Sequence, residues 1–335
     1  MLGGFLALIA AATFAFNNAS ARRGVLTGSA LQALAVTVPL GVPIFALAAL
    51  AVGSLGAIAQ FSNATLLALC GAGVVHFIWG RYCNYHATKA IGANLVAPVQ
   101  QFSLIVSLVM AIVVLGEVLT PLRILGIAMI LVGPIFTFKQ ARSEQPKIAV
   151  IAEAVDVAPA IPAFKPRYLE GYLFTLLSAI GYGSSPVMVR FALEDKGVTG
   201  ALAAGVVSYS AATLVVLLIL ILPGQLSHFR GMHRESLKWF TISGVLVCIS
   251  QMFIYCAMAI APVTVVVPIQ RLSIVFRIHA ARLLTREHEV FGPGIIAGTV
   301  VSLIGAVALS ISTEFVLSTL PLPDWIVTVA RWHWP

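Results

Sequence analysis

Gln270 and Arg271 stand in the middle of an apolar run, VVVPIQRLSIVF, Val265–Phe276. A guanidinium stays charged and offers five N–H donors in a planar fork that matches a carboxylate or phosphate. At mid-bilayer it costs on the order of 2.5–3.5 kcal/mol on insertion scales, so it must face a wet cavity or a partner. No Asp or Glu lies well inside any apolar run, since Glu117 and Glu287 both fall at the ends of such runs. The remaining partners are carbonyls, Gln and Asn amides, or an anionic solute. A related arrangement occurs earlier: PVQQFS, Pro98–Ser103, sets Gln100 and Gln101 where PIQRLS, Pro268–Ser273, sets Gln270 and Arg271. Each pair follows a proline, which frees helix carbonyls and is tolerated in membranes where it lines a cavity. Two readings follow: these four residues form a solute-binding core, or they hydrogen-bond neighbouring helices together.

Other polar side chains are candidates of the same kind. Asn17, Asn18 and Ser185 are small polar groups suited to a cavity wall or to helix packing. His76, Trp79, Cys83 and His86 recur at spacings of three, four and three, which puts them along one helix face. His76 is the deeper histidine; it is read as a solute or proton site or as a hydrogen-bonded packing residue. Tyr85 and Tyr255 are read as interfacial anchors or cavity walls. No HxxxH or CxxC pattern and no acidic ligand accompany these residues, so a metal site and a cofactor are not expected. Cys70, Cys83, Cys248 and Cys256 read as small packing residues. GxxxxGK[ST], paired carboxylates and nucleophilic triads are absent, so neither ATP-driven transport within this chain nor an enzyme is expected.

The elements that must position these residues are membrane helices. Of the 335 residues 60% are hydrophobic and only 10% charged, and the mean hydropathy is +1.01. Soluble domains carry about 25% charged residues. Ten apolar runs of bilayer-spanning length can be read: Leu2–Ala19, Ser29–Val52, Leu66–Tyr85, Leu95–Leu115, Leu122–Phe138, Leu169–Phe191, Ala201–Leu222, Leu237–Ile260, Val263–Leu284 and Gly294–Ile311. They do not alternate as barrel strands would. The first run ends in Ala19-Ser20-Ala21, like a signal-peptide cleavage site. It has no basic segment before it and pairs with a later helix, so it is taken as a span.

One long polar stretch, Lys139–Arg167, divides the chain into 1–138 and 168–312, and the halves resemble each other. At a separation of 170 residues Pro98, Gln100, Ser103 and Glu117 fall on Pro268, Gln270, Ser273 and Glu287, and Tyr85 on Tyr255. After a two-residue shift Gly126 and Gly133 fall on Gly298 and Gly305; at 168, Phe14 and Arg22 fall on Tyr182 and Arg190. An odd number of spans per half makes the second half enter from the opposite side, giving two inverted five-helix repeats with a binding site near the midplane.

The stretches LGEVLTPLRILGIAMILVG, with Glu117, and TREHEVFGPGIIAGTVVSLIG, with Glu287, place a glutamate after the fourth helix and then a glycine-studded fifth. In this the chain resembles the EamA-type carriers of the drug/metabolite transporter superfamily. The resemblance runs over about residues 1–312. Thr285-Arg286 departs from it where the first half has Leu115-Gly116. It implies a ten-helix bundle with a central cavity, alternating access, and export or exchange of small metabolites.

The resulting expectation is an all-α integral membrane protein that carries a small organic metabolite, anionic because the charge within the membrane is positive. Its setting is a bacterial-type inner membrane. The alternatives are a flippase for a lipid-linked anion and a non-transporting scaffold or receptor subunit. The expected partners are the solute and the bilayer, with room for a homodimer; no nucleic acid is called for, since the net charge of +8 is mostly topology. Fourteen Lys and Arg, from Arg22, Arg23 and Arg81 to Arg282 and Arg286, crowd the odd-numbered loops, against Arg123, Arg190, Lys196 and Arg331 opposite. By the positive-inside rule the linker is cytoplasmic and the termini are outside, whereas the resemblance implies termini inside. Arg277, His279 and Arg282 extend Arg271 towards one membrane face as an electropositive path, Arg282 doubling as a topology charge. Residues 313–335 end in a tryptophan-rich tail expected to form an interfacial helix capped by Asp324.

Overall fold

The computed structural model describes residues 1–92, 96, 99–132, 167–273, 275–276, 293–311, 313–319 and 323–334. Linker residues 139–166, Pro98, Arg277, His279, Arg282 and Glu287 lie outside them. The described residues form helices, apart from one bridge between Leu119 and Trp334. In chain order they are α1 (Leu2–Thr27), α2 (Ala30–Thr37), α3 (Gly41–Ala51), α4 (Asn63–Gly73), α5 (Arg81–Ile91), α6 (Phe102–Leu115), α7 (Pro121–Val132), α8 (Tyr168–Leu193), α9 (Gly197–Ile221), α10 (Gln225–Arg230), α11 (Arg234–Ile260), α12 (Val263–Gln270), α13 (Pro293–Ser310), α14 (Thr313–Thr319) and α15 (Asp324–Arg331).

Among the described residues six stretches are long and apolar enough to cross a bilayer: Leu2–Thr27, Ala30–Ala51, Asn63–Ile91, Tyr168–Leu193, Gly197–Ile221 and Arg234–Ile260. The outer faces of these stretches and of the shorter apolar helix α6 suit lipid. Ile105, Val109 and Val113 on α6, and Leu214, Leu217, Leu218 and Ile221 on α9, are large, exposed and spaced as one helical stripe. Surfaces of this kind are not left bare in water. The chain is a multi-pass integral membrane protein.

Lipid gives packed helices no hydrophobic drive, so close backbone approach must hold them. Small residues supply it. Gly3, Ala7, Ala10 and Ala11 of α1 are buried in the packing with α11, where Ser250 Oγ donates to the Ala10 carbonyl at 2.8 Å. Gly24 accommodates the ring of Phe240. On α6 and α8, Ser107 Oγ donates to the Gly183 carbonyl at 2.7 Å. The glycines of α7 and α13 explain the studded fifth helix: a Cβ on Gly126 lies 2.9 Å from the Gly305 carbonyl, and one on Gly305 lies 2.8 Å from that of Gly126.

Three of the long helical paths are interrupted. Thr37–Gly41, with Pro39, separates α2 from α3. Between α4 and α5 the chain makes a π-helical turn, Val74–Gly80. The Gly80 carbonyl at its end accepts from Ser178 Oγ at 2.8 Å. The helix of α12 stops at Gln270, where Arg271 turns the chain.

Two expectations are corrected. Arg81 is not a loop charge: it begins α5 and is buried, with Nη1 3.4 Å from Thr37 Oγ1, Nη2 3.5 Å from Tyr209 OH and its guanidinium 5.0 Å from the Phe77 ring centre. Asp324 does not cap the tail helix: Pro323 holds that position and Asp324 is the first helical residue. The tail does carry exposed Trp325, Trp332 and Trp334, and Trp334 pairs its backbone with Leu119, both N–H···O distances being 3.0 Å.

Replacing Gly126 by Leu forces α7 and α13 apart. The expected cost is about 1–3 kcal/mol, the usual scale for overpacking. It is read as a lower melting temperature of the detergent-purified protein. An unchanged midpoint contradicts the close crossing.

Candidate functional site

A cavity opens where α1, α5, the start of α6, α8 and the broken end of α12 come together, with about 850 Å³ of space unfilled by atoms, including open solvent at its mouth. Of the residues expected from the sequence, Gln100, Gln101, Gln270, Arg271, His76 and Tyr85 line it. The two repeat-related pairs therefore meet on one cavity, and each sits at a helix interruption: Gln101 precedes α6 and Arg271 follows α12. Backbone irregularity at membrane depth is expected only where protein or a wet cavity satisfies it.

The remaining three do not line it. Asn17 is buried between α1 and α11, its Oδ1 accepting from Ser243 Oγ at 2.6 Å. Tyr255 is neither interfacial nor at the cavity; it is buried with its ring edge against Phe45, centroids 5.8 Å apart. Ser185 lies behind His76. The His76 Nδ1–Ser185 Oγ distance is 2.6 Å, and Gln251 Nε2 lies 3.2 Å from His76 Nε2. An amide N–H can only donate, so Nε2 accepts and the ring proton sits on Nδ1, directed at Ser185. With both nitrogens occupied, His76 offers the cavity its ring, which tilts against Tyr182 at 4.7 Å between centroids.

The α4–α5 path meets α8 throughout. Trp79 Nε1 donates to the Leu177 carbonyl at 3.0 Å, and His86 Nε2 lies 2.6 Å from Glu170 Oε1. The histidine-bearing face read from the spacing is thus the one that packs on α8.

Electrostatically the cavity is one-sided. Its lining includes Arg22 and Arg271 and no Asp or Glu among the described residues. The ion pairs among the described residues, His86–Glu170 and Arg167–Glu170, leave both arginines out. Arg271 Nε and both polar atoms of the Gln100 amide are shielded from solvent with no hydrogen-bond partner. Sequence reasoning placed Arg22 in a loop and did not single out Asn84. It noted Asn18 and Tyr182 without committing either to the site. The signal for Arg22 and Tyr182 was present in part, since the repeat alignment marks Arg22 with Arg190 and Phe14 with Tyr182.

The site's far support is Glu117. Pro262 precedes α12 and supplies no side-chain cap, so the first N–H groups of that helix need an acceptor. Glu117 provides it: Oε1 accepts from Val263 N at 2.7 Å and Oε2 from Thr264 N at 2.9 Å. A carboxylate there also meets the positive end of the helix dipole. The turn that presents it runs through Gly116, at φ +63°, a conformation glycine adopts without strain.

Residues 1–139 match the EamA-like transporter family, consistent with the drug/metabolite transporter superfamily. The match takes in Glu117 and the glycine-studded fifth helix and stops at the linker. A solved structure described only as a crystal structure of a protein has the same fold, with a TM-score of 0.61 over 92% of this chain and 94% of its own, at 16% identity. No curated protein matches the sequence.

Removing the Glu117 cap tests the support. Glu117→Ala exposes two N–H groups and costs about 0.5–2 kcal/mol, the range for lost helix caps. Glu117→Gln keeps one acceptor and costs less. Melting temperatures in detergent in the order wild type, Gln, Ala are expected; equal values for all three rule the cap out as a support.

Proposed function

We propose that the protein is a secondary carrier working by alternating access and that its cargo is a small organic anion. One observation carries the reading: Arg271 brings a guanidinium to a cavity within the membrane with no described carboxylate to neutralise it, beside an unpartnered Gln100 amide. A guanidinium left so is costly unless water or a ligand satisfies it, and its fork suits a carboxylate or phosphate. Glutamine amides on either side add neutral donors that orient the anion without repelling it.

In this reading the chain comprises two inverted five-helix repeats, 1–138 and 168–312, joined by the linker 139–167. The arrangement of Gln100–Gln101 and Gln270–Arg271 at two helix breaks on one cavity supports it. The absence of a deep carboxylate in the sequence favours facilitated export or exchange over proton antiport through an acid. A bacterial-type inner membrane is the proposed setting.

The test compares solutes in cells and medium for hosts expressing wild type, Arg271→Gln or Arg271→Lys at equal membrane levels. An anionic solute should move with wild type, fall at least about tenfold with the glutamine variant, and be partly retained with lysine, which keeps the charge without the fork. Equal flux through wild type and Arg271→Gln makes Arg271 structural and ends the anion reading.

A further inference from the structure

We propose that Arg22 is a second anion anchor, so that the cargo carries two anionic groups, one towards each end of the cavity. This rests on the role given to Arg271 above. The cationic side chains around the cavity divide into two sets. Lys89 Nζ is held by the Gly28 carbonyl at 3.0 Å, and Arg81 is held behind the wall by Thr37 and Tyr209. Among the described residues Arg22 and Arg271 are the two that line the space.

They have different neighbours. Arg271 follows α12 and lines the cavity with His76 and Tyr182. Arg22 lies near the C-terminal end of α1, with Nη1 4.0 Å from the position a Cβ on Gly92 would take, just past the end of α5. Phe14 and Arg22 both line the cavity and are eight residues apart on α1, about 12 Å of helix. The site is therefore long. A monoanion at Arg271 leaves the charge of Arg22 without a counter-charge among the described residues, whereas an extended dianion meets both.

The repeat supplies a separate argument. Arg190, the sequence counterpart of Arg22, donates from Nη1 to the Met258 carbonyl at 2.8 Å, near the end of α11. The counterpart of Met258 is Thr88, whose carbonyl accepts from Gly92 N at 3.0 Å. In the second half the arginine is committed to a helix end. In the first half it is turned to the cavity, which Thr88 also lines.

The experiment uses purified full-length wild type, Arg22→Gln, Arg22→Lys and Arg271→Gln. The probes are straight-chain acids in matched pairs: butyrate and succinate, hexanoate and adipate, octanoate and suberate, with inorganic phosphate as a compact multivalent anion. Binding is read by ligand-dependent thermal shift and checked by uptake into proteoliposomes. At least one dicarboxylate should bind wild type tenfold or more tightly than its monocarboxylate partner. Arg22→Gln should abolish that preference and leave monocarboxylate binding within about twofold. Arg22→Lys should keep part of it, and Arg271→Gln should weaken both members of a pair. The proposal is overturned if wild type does not distinguish the pairs, if phosphate equals the best dicarboxylate, or if Arg22→Gln weakens both members alike. If every anion leaves wild type unmoved, the Arg271 reading fails and takes this one with it. A loss of fold appears in the ligand-free melt, where Arg22→Lys keeps the comparison intact.

Discussion

The hydrocarbon core of a bilayer contains no water to hydrogen-bond a free backbone or side-chain group, and every break in a helix must therefore be answered from within the protein. Three of the answers centre on the cavity or its supports. The Gly80 carbonyl, at the end of the π-helical turn, accepts from Ser178. The bare N-terminus of α12 is answered by Glu117. The break at Gln270–Arg271 opens on the cavity, and there Arg271 Nε and the Gln100 amide keep unused hydrogen-bonding capacity. In the proposed carrier, that capacity is what a cargo takes up.

The same constraint explains the use of small residues. Helices that gain little by leaving lipid must touch backbone to backbone, which Gly126 and Gly305 allow between α7 and α13 and the alanine face of α1 allows against α11. Tight contacts of this kind make a stiff wall. The polar residues of α1 then divide by face: Asn17 is spent on Ser243, while Asn18 and Arg22 point to the cavity.

Glu117 links the support to the site. It lies within residues 1–139, which match the EamA-like family, and it holds the start of the helix whose other end bears Gln270 and Arg271. A change at Glu117 acts on the cavity through α12, eight residues long, without touching its lining.

Composition and apolar run length by themselves determined a multi-pass helical membrane protein, because 60% hydrophobic residues exceed what a water-soluble core can bury. The repeat pointed to Gln100, Gln101, Gln270 and Arg271, since prolines followed by polar groups in apolar runs are costly unless they line a cavity. Only the tertiary structure separated Arg81 from the loop charges, because burial depends on neighbours such as Thr37 and Tyr209 that lie far away in sequence. It also took Asn17 and Tyr255 away from the cavity and brought Arg22 to it. A helical period gives the direction of a side chain from its own axis, but which other helix lies in that direction is decided by packing.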